Sequence, residues 1–180
     1  MKERLKKILL STPGFQAFCR FLTRKHVRTL MYHRFSHQAV EDKRFVSSSA
    51  LEQQLQYIKR FHRDWTPDTH LQVLQGGQRW QPCPVVITVD DGYRDFYEVA
   101  FPVFRKFGIT PMLFVTTNFV AQKSLLWWDR LRLILLNTNC KSVTLQLAGK
   151  DVYFSLNDGQ DRHAAWDRIA DHCRFMPHAE

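Results

Sequence analysis

Three short apolar runs alternate along the chain with segments in which apolar residues recur every three to four positions. The runs at 27–32, 84–89 and 111–115 are rich in β-branched, aromatic or long aliphatic residues and predict strands. The periodic segments at 50–61 and 95–106 predict helices with one apolar face each. The last two runs and the helix between them form a βαβ unit, which predicts a parallel sheet with a right-handed crossover.

Capping and turn-forming residues set the limits of these elements. Residues 34–44 are predicted to form a loop, and the serines at 47–49 offer N-caps for the helix that follows. Pro67 opens a second short helix, because proline is favoured in a first turn. Pro102 falls inside the 95–106 segment, so we expect a kink or a late helix start there.

The period changes again in the last third of the chain. The Trp127-Trp128-Asp129 sequence introduces an apolar helix that continues to Leu136. The alternating segments at 143–147 and 152–156 enclose a turn and predict a β-hairpin, and a last helix is predicted at 160–175. We interpret the hairpin and last helix as an insertion, because they interrupt the alternation of strands and helices.

The first 26 residues predict a basic amphipathic helix that starts near Pro13. Its apolar face consists of Phe15, Phe18, Cys19 and Leu22. Such a helix either packs on the domain or lies on a membrane surface, and the pattern alone leaves both alternatives open.

Composition is ordinary for a globular protein, but charge is not. The chain has 180 residues and a net charge of +9, which favours an anionic partner such as a nucleic acid, an acidic glycan or a membrane surface. No nucleic-acid-binding motif is present, so no specific nucleic-acid partner is expected. Four cysteines without a C-x-x-C pair argue against a zinc ribbon or a disulfide framework and fit a reducing compartment. We therefore expect a cytoplasmic protein, with peripheral contact to the inner membrane as an alternative.

The candidate chemistry lies where the 84–89 run ends, at Asp90, Asp91 and Gly92. Parallel α/β sheets place their sites at the carboxyl ends of strands. Two acids there suit a division of labour in which one holds a metal and the other takes a proton from water. The alternative is a loop whose aspartates cap the next helix. His33 follows the first predicted strand and could line the same site.

Three segments resemble the polysaccharide deacetylase family, the NodB-homology group of carbohydrate esterases. They are L-M-Y-H-R-F at 30–35, V-I-T-V-D-D-G-Y at 86–93 and P-M-L-F-V-T-T at 111–117. The first family motif is usually T-F-D-D-G, and here Val89 replaces the phenylalanine. The resemblance implies an α/β fold, an incomplete (β/α) barrel of the glycoside hydrolase/deacetylase type with parallel strands and the hairpin–helix insertion.

The resemblance also implies roles for individual residues. Asp90 would be the general base, and Asp91 would be a ligand of a divalent metal, with zinc expected. His33 and Tyr93 would contact the substrate. The reaction would be hydrolysis of N- or O-acetyl groups on a polysaccharide or glycan.

One departure from the family bears on activity. The family's two metal-binding histidines follow the aspartates in an H-[S/T]-x-x-H segment, which this sequence lacks. His33 and His37 have i,i+4 spacing but precede the aspartates, in a predicted loop. We therefore expect only the amino-terminal part of a deacetylase domain at 27–137, between the helical segment at 1–26 and the insertion at 138–180. Such a chain would be inactive by itself. The alternatives are a non-catalytic remnant of the fold and a basic protein that binds anionic surfaces.

Overall fold

The computed structural model describes residues 12–40, 42, 44–122 and 125–174. The chain divides into two compact units, one ending at Thr116 and the other beginning at Thr117. Within the described residues, no helix has both the length and the apolar character needed to cross a membrane.

The first unit combines a parallel sheet with flanking helices. Its elements, in chain order, are α1 (Pro13–Leu22), β1 (Arg28–Tyr32), β2 (Arg34–Ser36), β3 (Phe45–Ser47), α2 (Ser48–Phe61), β4 (Arg63–Asp64), α3 (Pro67–Leu74), β5 (Pro84–Val89), a π-helical turn (Phe96–Ala100), α4 (Phe101–Lys106) and β6 (Met112–Leu113).

Strand β5 is the centre of the main sheet, and all six of its residues are buried. It pairs in parallel with β1 over five residues on one side, from Arg28 opposite Val85 to Tyr32 opposite Val89. On its other side it pairs in parallel with β4 and β6. A strand covered on both faces and paired on both edges explains the unbroken apolar run in its sequence. The predicted α/β class with parallel strands is confirmed, and the barrel stays a prediction.

The prediction of a loop at 34–44 is wrong in part. This segment contains β2, which pairs in parallel with β3 through Arg34 to Ser36. The physical reason is Phe35, which is buried and lies with its ring centroid 5.9 Å from that of Tyr32 and 6.5 Å from that of Phe104. A single apolar residue among polar neighbours gives no periodic signal, so the sequence pattern did not reveal this strand.

The predicted helix limits agree with the backbone. The Ser47 hydroxyl accepts a hydrogen bond from the Ala50 amide at 3.2 Å and caps α2. Helical conformation begins at Arg94 and continues through the π-helical turn Phe96–Ala100 into α4, so the helix does not start late, and the irregularity near Pro102 takes the form of this π-helical turn. Gly108 follows α4 with φ +58°, a left-handed conformation that glycine adopts without strain.

The second unit contains α5 (Thr117–Gln122), α6 (Trp127–Asn137), β7 (Ser142–Leu147), β8 (Lys150–Ser155) and α7 (Gly159–Arg174). The predicted hairpin is present as an antiparallel pair, joined by a two-residue turn at Ala148 and Gly149 with φ +51° and +74°. Helices α6 and α7 share one apolar cluster with the hairpin, consisting mainly of Leu135, Phe154, Leu156, Trp166 and Ile169. Whether this unit is an insertion, and where its boundary falls, stay predictions.

Candidate active site at the end of the central strand

The candidate site is built from the ends of β1 and β5. The Asp90 amide donates to the Tyr32 carbonyl at 2.9 Å, which extends the strand pairing one residue beyond Val89. This register brings His33 across from Asp90, with 3.9 Å between His33 Nε2 and Asp90 Oδ2. The sequence predicted both residues at strand ends, and the pairing of β1 with β5 places them side by side.

The two oxygens of the Asp90 carboxylate have different surroundings. Oδ2 faces His33, whose side chain is 47% exposed. Oδ1 is buried and has no hydrogen-bond partner among the described residues. A buried acceptor without a partner loses hydration that nothing replaces, at a cost of about 1–3 kcal/mol. Asp90 Oδ1 therefore has a free lone pair at the carboxyl end of the central strand. The Asp90 carboxylate does not serve as a helix cap.

A sharp turn follows Asp90. Asp91 and Gly92 have φ +73° and +78°, so two successive residues lie in the left-handed region. Aspartate tolerates that region better than most residues. A Cβ at Gly92 would lie 3.2 Å from Val115 Cγ1, and the Thr116 amide donates to the Asp91 carbonyl at 3.4 Å. The glycine therefore lets the turn lie directly against the chain after β6.

The end of this turn is held by Arg34, a residue that the sequence did not single out. Its Nε donates to Asp95 Oδ2 at 2.6 Å. Its guanidinium also lies 3.9 Å from the ring centroid of Tyr93 and 4.6 Å from that of Phe45. Tyr93, predicted to contact substrate, thus has one ring face against Arg34. No local signal could reveal this contact, because Arg34 and Asp95 are 61 residues apart.

Replacement of Arg34 by methionine is expected to lower the free energy of unfolding by about 2 kcal/mol. The change keeps the side-chain volume but leaves the Asp95 carboxylate without its cation, while Oδ1 of Asp95 is already buried without a hydrogen-bond partner. Urea unfolding followed by circular dichroism measures the loss.

The matched control is Arg94→Met. Arg94 pairs with Glu98 on the surface, with the Arg94 side chain 87% exposed. Loss of such a pair costs at most about 0.5 kcal/mol. Equal losses in the two variants would show that Arg34 contributes no more than a surface charge.

The described residues do not complete a metal site. Within them, no group of three or more histidine, cysteine, aspartate or glutamate side chains could hold a metal ion. His33 and His37 stand at opposite ends of β2, an extended strand, so their Cα atoms are roughly 13 Å apart along the chain. The i,i+4 spacing would bring two rings together only on a helix.

Comparisons with known proteins complete this description. No family model matches the chain, and no curated protein matches it. Several solved structures do match the chain. The deacetylase PplD from Streptococcus pyogenes, solved with acetate, is 23% identical over 60% of this chain and 51% of its own, with a TM-score of 0.47. IcaB from Ammonifex degensii is 28% identical over 61% and 48%, with a TM-score of 0.48.

A third match is BC0361, a polysaccharide deacetylase from Bacillus cereus, which is 19% identical over 61% of this chain and 35% of its own, with a TM-score of 0.41. The chain is similar to polysaccharide deacetylases. This is the family that the three sequence motifs resemble. The chain spans about half the length of PplD and IcaB.

Proposed function

We propose that this chain carries part of a hydrolase site that removes N- or O-acetyl groups from a polysaccharide. The observation that supports this most directly is the Asp90 carboxylate. One of its oxygens is buried without a hydrogen-bond partner among the described residues, at the carboxyl end of the central strand. A buried polar group without a hydrogen-bond partner in a native structure calls for an explanation, and a catalytic role is one of the recognised explanations.

In the proposed reaction, Asp90 is the general base. Water attacks the acetyl carbonyl carbon while Asp90 takes one of its protons. The bond from that carbon to the sugar nitrogen or oxygen then breaks, and the proton passes to this leaving atom. The products are acetate and a free amino or hydroxyl group. His33, half exposed beside Asp90, would contact the sugar, and Tyr93, whose ring lies against Arg34, would contact it as well.

The described residues by themselves do not provide enough ligands for the divalent metal of this family. A catalytic zinc ion takes three protein ligands as a rule. Asp91 is the proposed ligand in this chain, and no three-donor group surrounds it within the described part. We therefore assign no step to a metal, and further ligands would have to come from residues outside the described ranges.

The same finding favours a second candidate function. A chain that keeps the sheet and the Asp90 carboxylate without a complete ligand set would be a non-catalytic remnant of the fold, which binds an acetylated glycan without cleaving it. Glycan binding without acetate release identifies this alternative.

The test is acetate release from N-acetylglucosamine oligomers and from acetylated xylan in the presence of Zn²⁺ or Co²⁺. We expect no release above the uncatalysed rate from the 180-residue chain. We expect release from a version extended beyond residue 180 by a deacetylase segment that contains H-[S/T]-x-x-H. A folded, extended protein that binds Zn²⁺ and still releases no acetate from any of these substrates would contradict the proposed hydrolase.

Asp91→Ala is expected to weaken Zn²⁺ binding to the extended protein at least about 100-fold, because loss of a ligand exceeds the 10–100-fold effect of an outer-shell change. Isothermal titration calorimetry measures the affinity. Asp64→Asn is the control, since Asp64 lies on β4 beside the start of β5, opposite Val85. Equal affinities of the Asp91→Ala variant and the unaltered protein would remove Asp91 from the ligand set.

A further inference from the structure

Helix α1 contacts the rest of the first unit through the side that carries Arg20. Arg20 donates to the Tyr57 hydroxyl at 3.0 Å, and its guanidinium lies 4.4 Å from the ring centroid of Phe61. The Cys83 thiol also donates to the Arg20 carbonyl at 3.5 Å. These contacts hold the carboxyl-terminal part of α1 against α2 and the start of β5, and no residue of α1 is buried by them.

The opposite side of α1 is apolar and exposed. At roughly 100° per residue, Phe18 and Leu22 each lie about 160° around the helix from Arg20, and Phe21 lies beside them. The exposed fractions are 56% for Phe18, 59% for Phe21 and 58% for Leu22. Two other residues of the predicted apolar face, Phe15 and Cys19, are half-buried, so the helix turns only part of its apolar surface toward the protein. Packing on the domain therefore does not account for Phe18, Phe21 and Leu22, which stay exposed.

Positive charge surrounds this face. The guanidinium of Arg24 lies 3.9 Å from the ring centroid of Phe21, and Lys25 is exposed beside it. Residues 1–28 contain eight basic residues and one acidic residue, which is +7 of the chain's net +9. Most of the excess positive charge thus lies in the part of the sequence that contains α1.

We propose that the face formed by Phe18, Phe21 and Leu22 lies on an anionic lipid bilayer, with Arg24 and Lys25 at the level of the phosphate groups. Aromatic and leucine side chains next to arginine and lysine on a short amphipathic helix are the combination that binds at the interface of a membrane. Each cation near an anionic surface adds about 1 kcal/mol of attraction, which falls within a Debye length. The charge alone would suit a nucleic acid, but the exposed apolar face would not.

Vesicle flotation with the full 180-residue chain tests this proposal. We expect the chain to float with phosphatidylglycerol/phosphatidylcholine vesicles at 0.1 M NaCl, and to float much less with pure phosphatidylcholine or at 0.5 M NaCl. Phe21→Ser combined with Leu22→Ser should lower the partition coefficient about tenfold, because the apolar contact is lost while every charge remains. Aggregated protein sediments in this assay, so it is not counted as bound.

The matched control is Leu133→Ser combined with Ile134→Ser on α6. These residues are 57% and 56% exposed, equal to the altered pair on α1 within a few per cent, and lie in the other unit. This variant should float like the unaltered chain, and circular dichroism of both variants verifies the fold. Two results would overturn the proposal: no flotation, whether or not the chain is retained on duplex DNA, or equal loss in both variants.

Discussion

Replacement of Asp90 by asparagine is expected to lower acetate release by the extended protein 10²–10⁴-fold while the fold is retained. The amide has nearly the same shape as the carboxylate but cannot take a proton from water, and general bases contribute effects of about this size. Asp90 Oδ1 has no hydrogen-bond partner among the described residues, so few contacts depend on the charge. The free energy of unfolding should therefore stay within about 1 kcal/mol of the unaltered value.

Initial rates of acetate release and urea unfolding curves are the two measurements for this variant. Asp64→Asn is the control on the same sheet. Asp64 forms an ion pair with Lys59 and lies opposite Val85, near the beginning of β5. The length of strand between Val85 and Asp90 is roughly 15 Å. Full activity of the Asp90→Asn variant would contradict the role of general base. A loss of several kcal/mol of stability would show that the carboxylate is structural.

Phe104→Ala is expected to lower the free energy of unfolding of the first unit by about 3–5 kcal/mol. Phe104 on α4 is 1% exposed. Its ring centroid lies 6.4 Å from that of Tyr32, 6.5 Å from that of Phe35 and 6.3 Å from that of Phe96. Truncation leaves a cavity between β1, β2 and the helical segment that follows the aspartates. Because total stabilities are about 5–15 kcal/mol, the loss is a large part of the whole.

Hydrogen exchange of the β5 amides measures this effect on the first unit by itself. Phe101→Ala on the same helix is the matched control, since Phe101 is 41% exposed and its removal should cost about 1 kcal/mol or less. If both variants exchange equally fast, the aromatic cluster around Phe104 does not stabilise the sheet.

The sequence predicted elements well where a periodic or capping signal was strong. The β5 run, the helix capped by Ser47 and the hairpin around Ala148-Gly149 all agree with the structure. Each of these signals is local, because the residues that specify the element lie within a few positions of one another. The strand formed around Phe35 was missed, since one buried ring in a polar segment has no period.

The residues of the candidate site also differ in whether a local sequence signal identifies them. The motif at the end of β5 identified Asp90 and Asp91, and the end of β1 identified His33. The contact of Arg34 with Tyr93 and Asp95 was not predicted, because it joins residues about 60 positions apart. The sequence also left open which side of α1 faces the protein, and the bond from Arg20 to Tyr57 decides this.

By itself, the sequence determined the parallel α/β class, the limits of most elements and the two aspartates at a strand end, because periodicity, caps and turns act over short distances. Tertiary structure alone decided the 3.9 Å approach of His33 to Asp90, the lack of a hydrogen-bond partner for Asp90 Oδ1 among the described residues, and the exposure of Phe18, Phe21 and Leu22 on α1. These depend on the register of β1 against β5 and on contacts between distant segments, which the free energy of the whole fold selects.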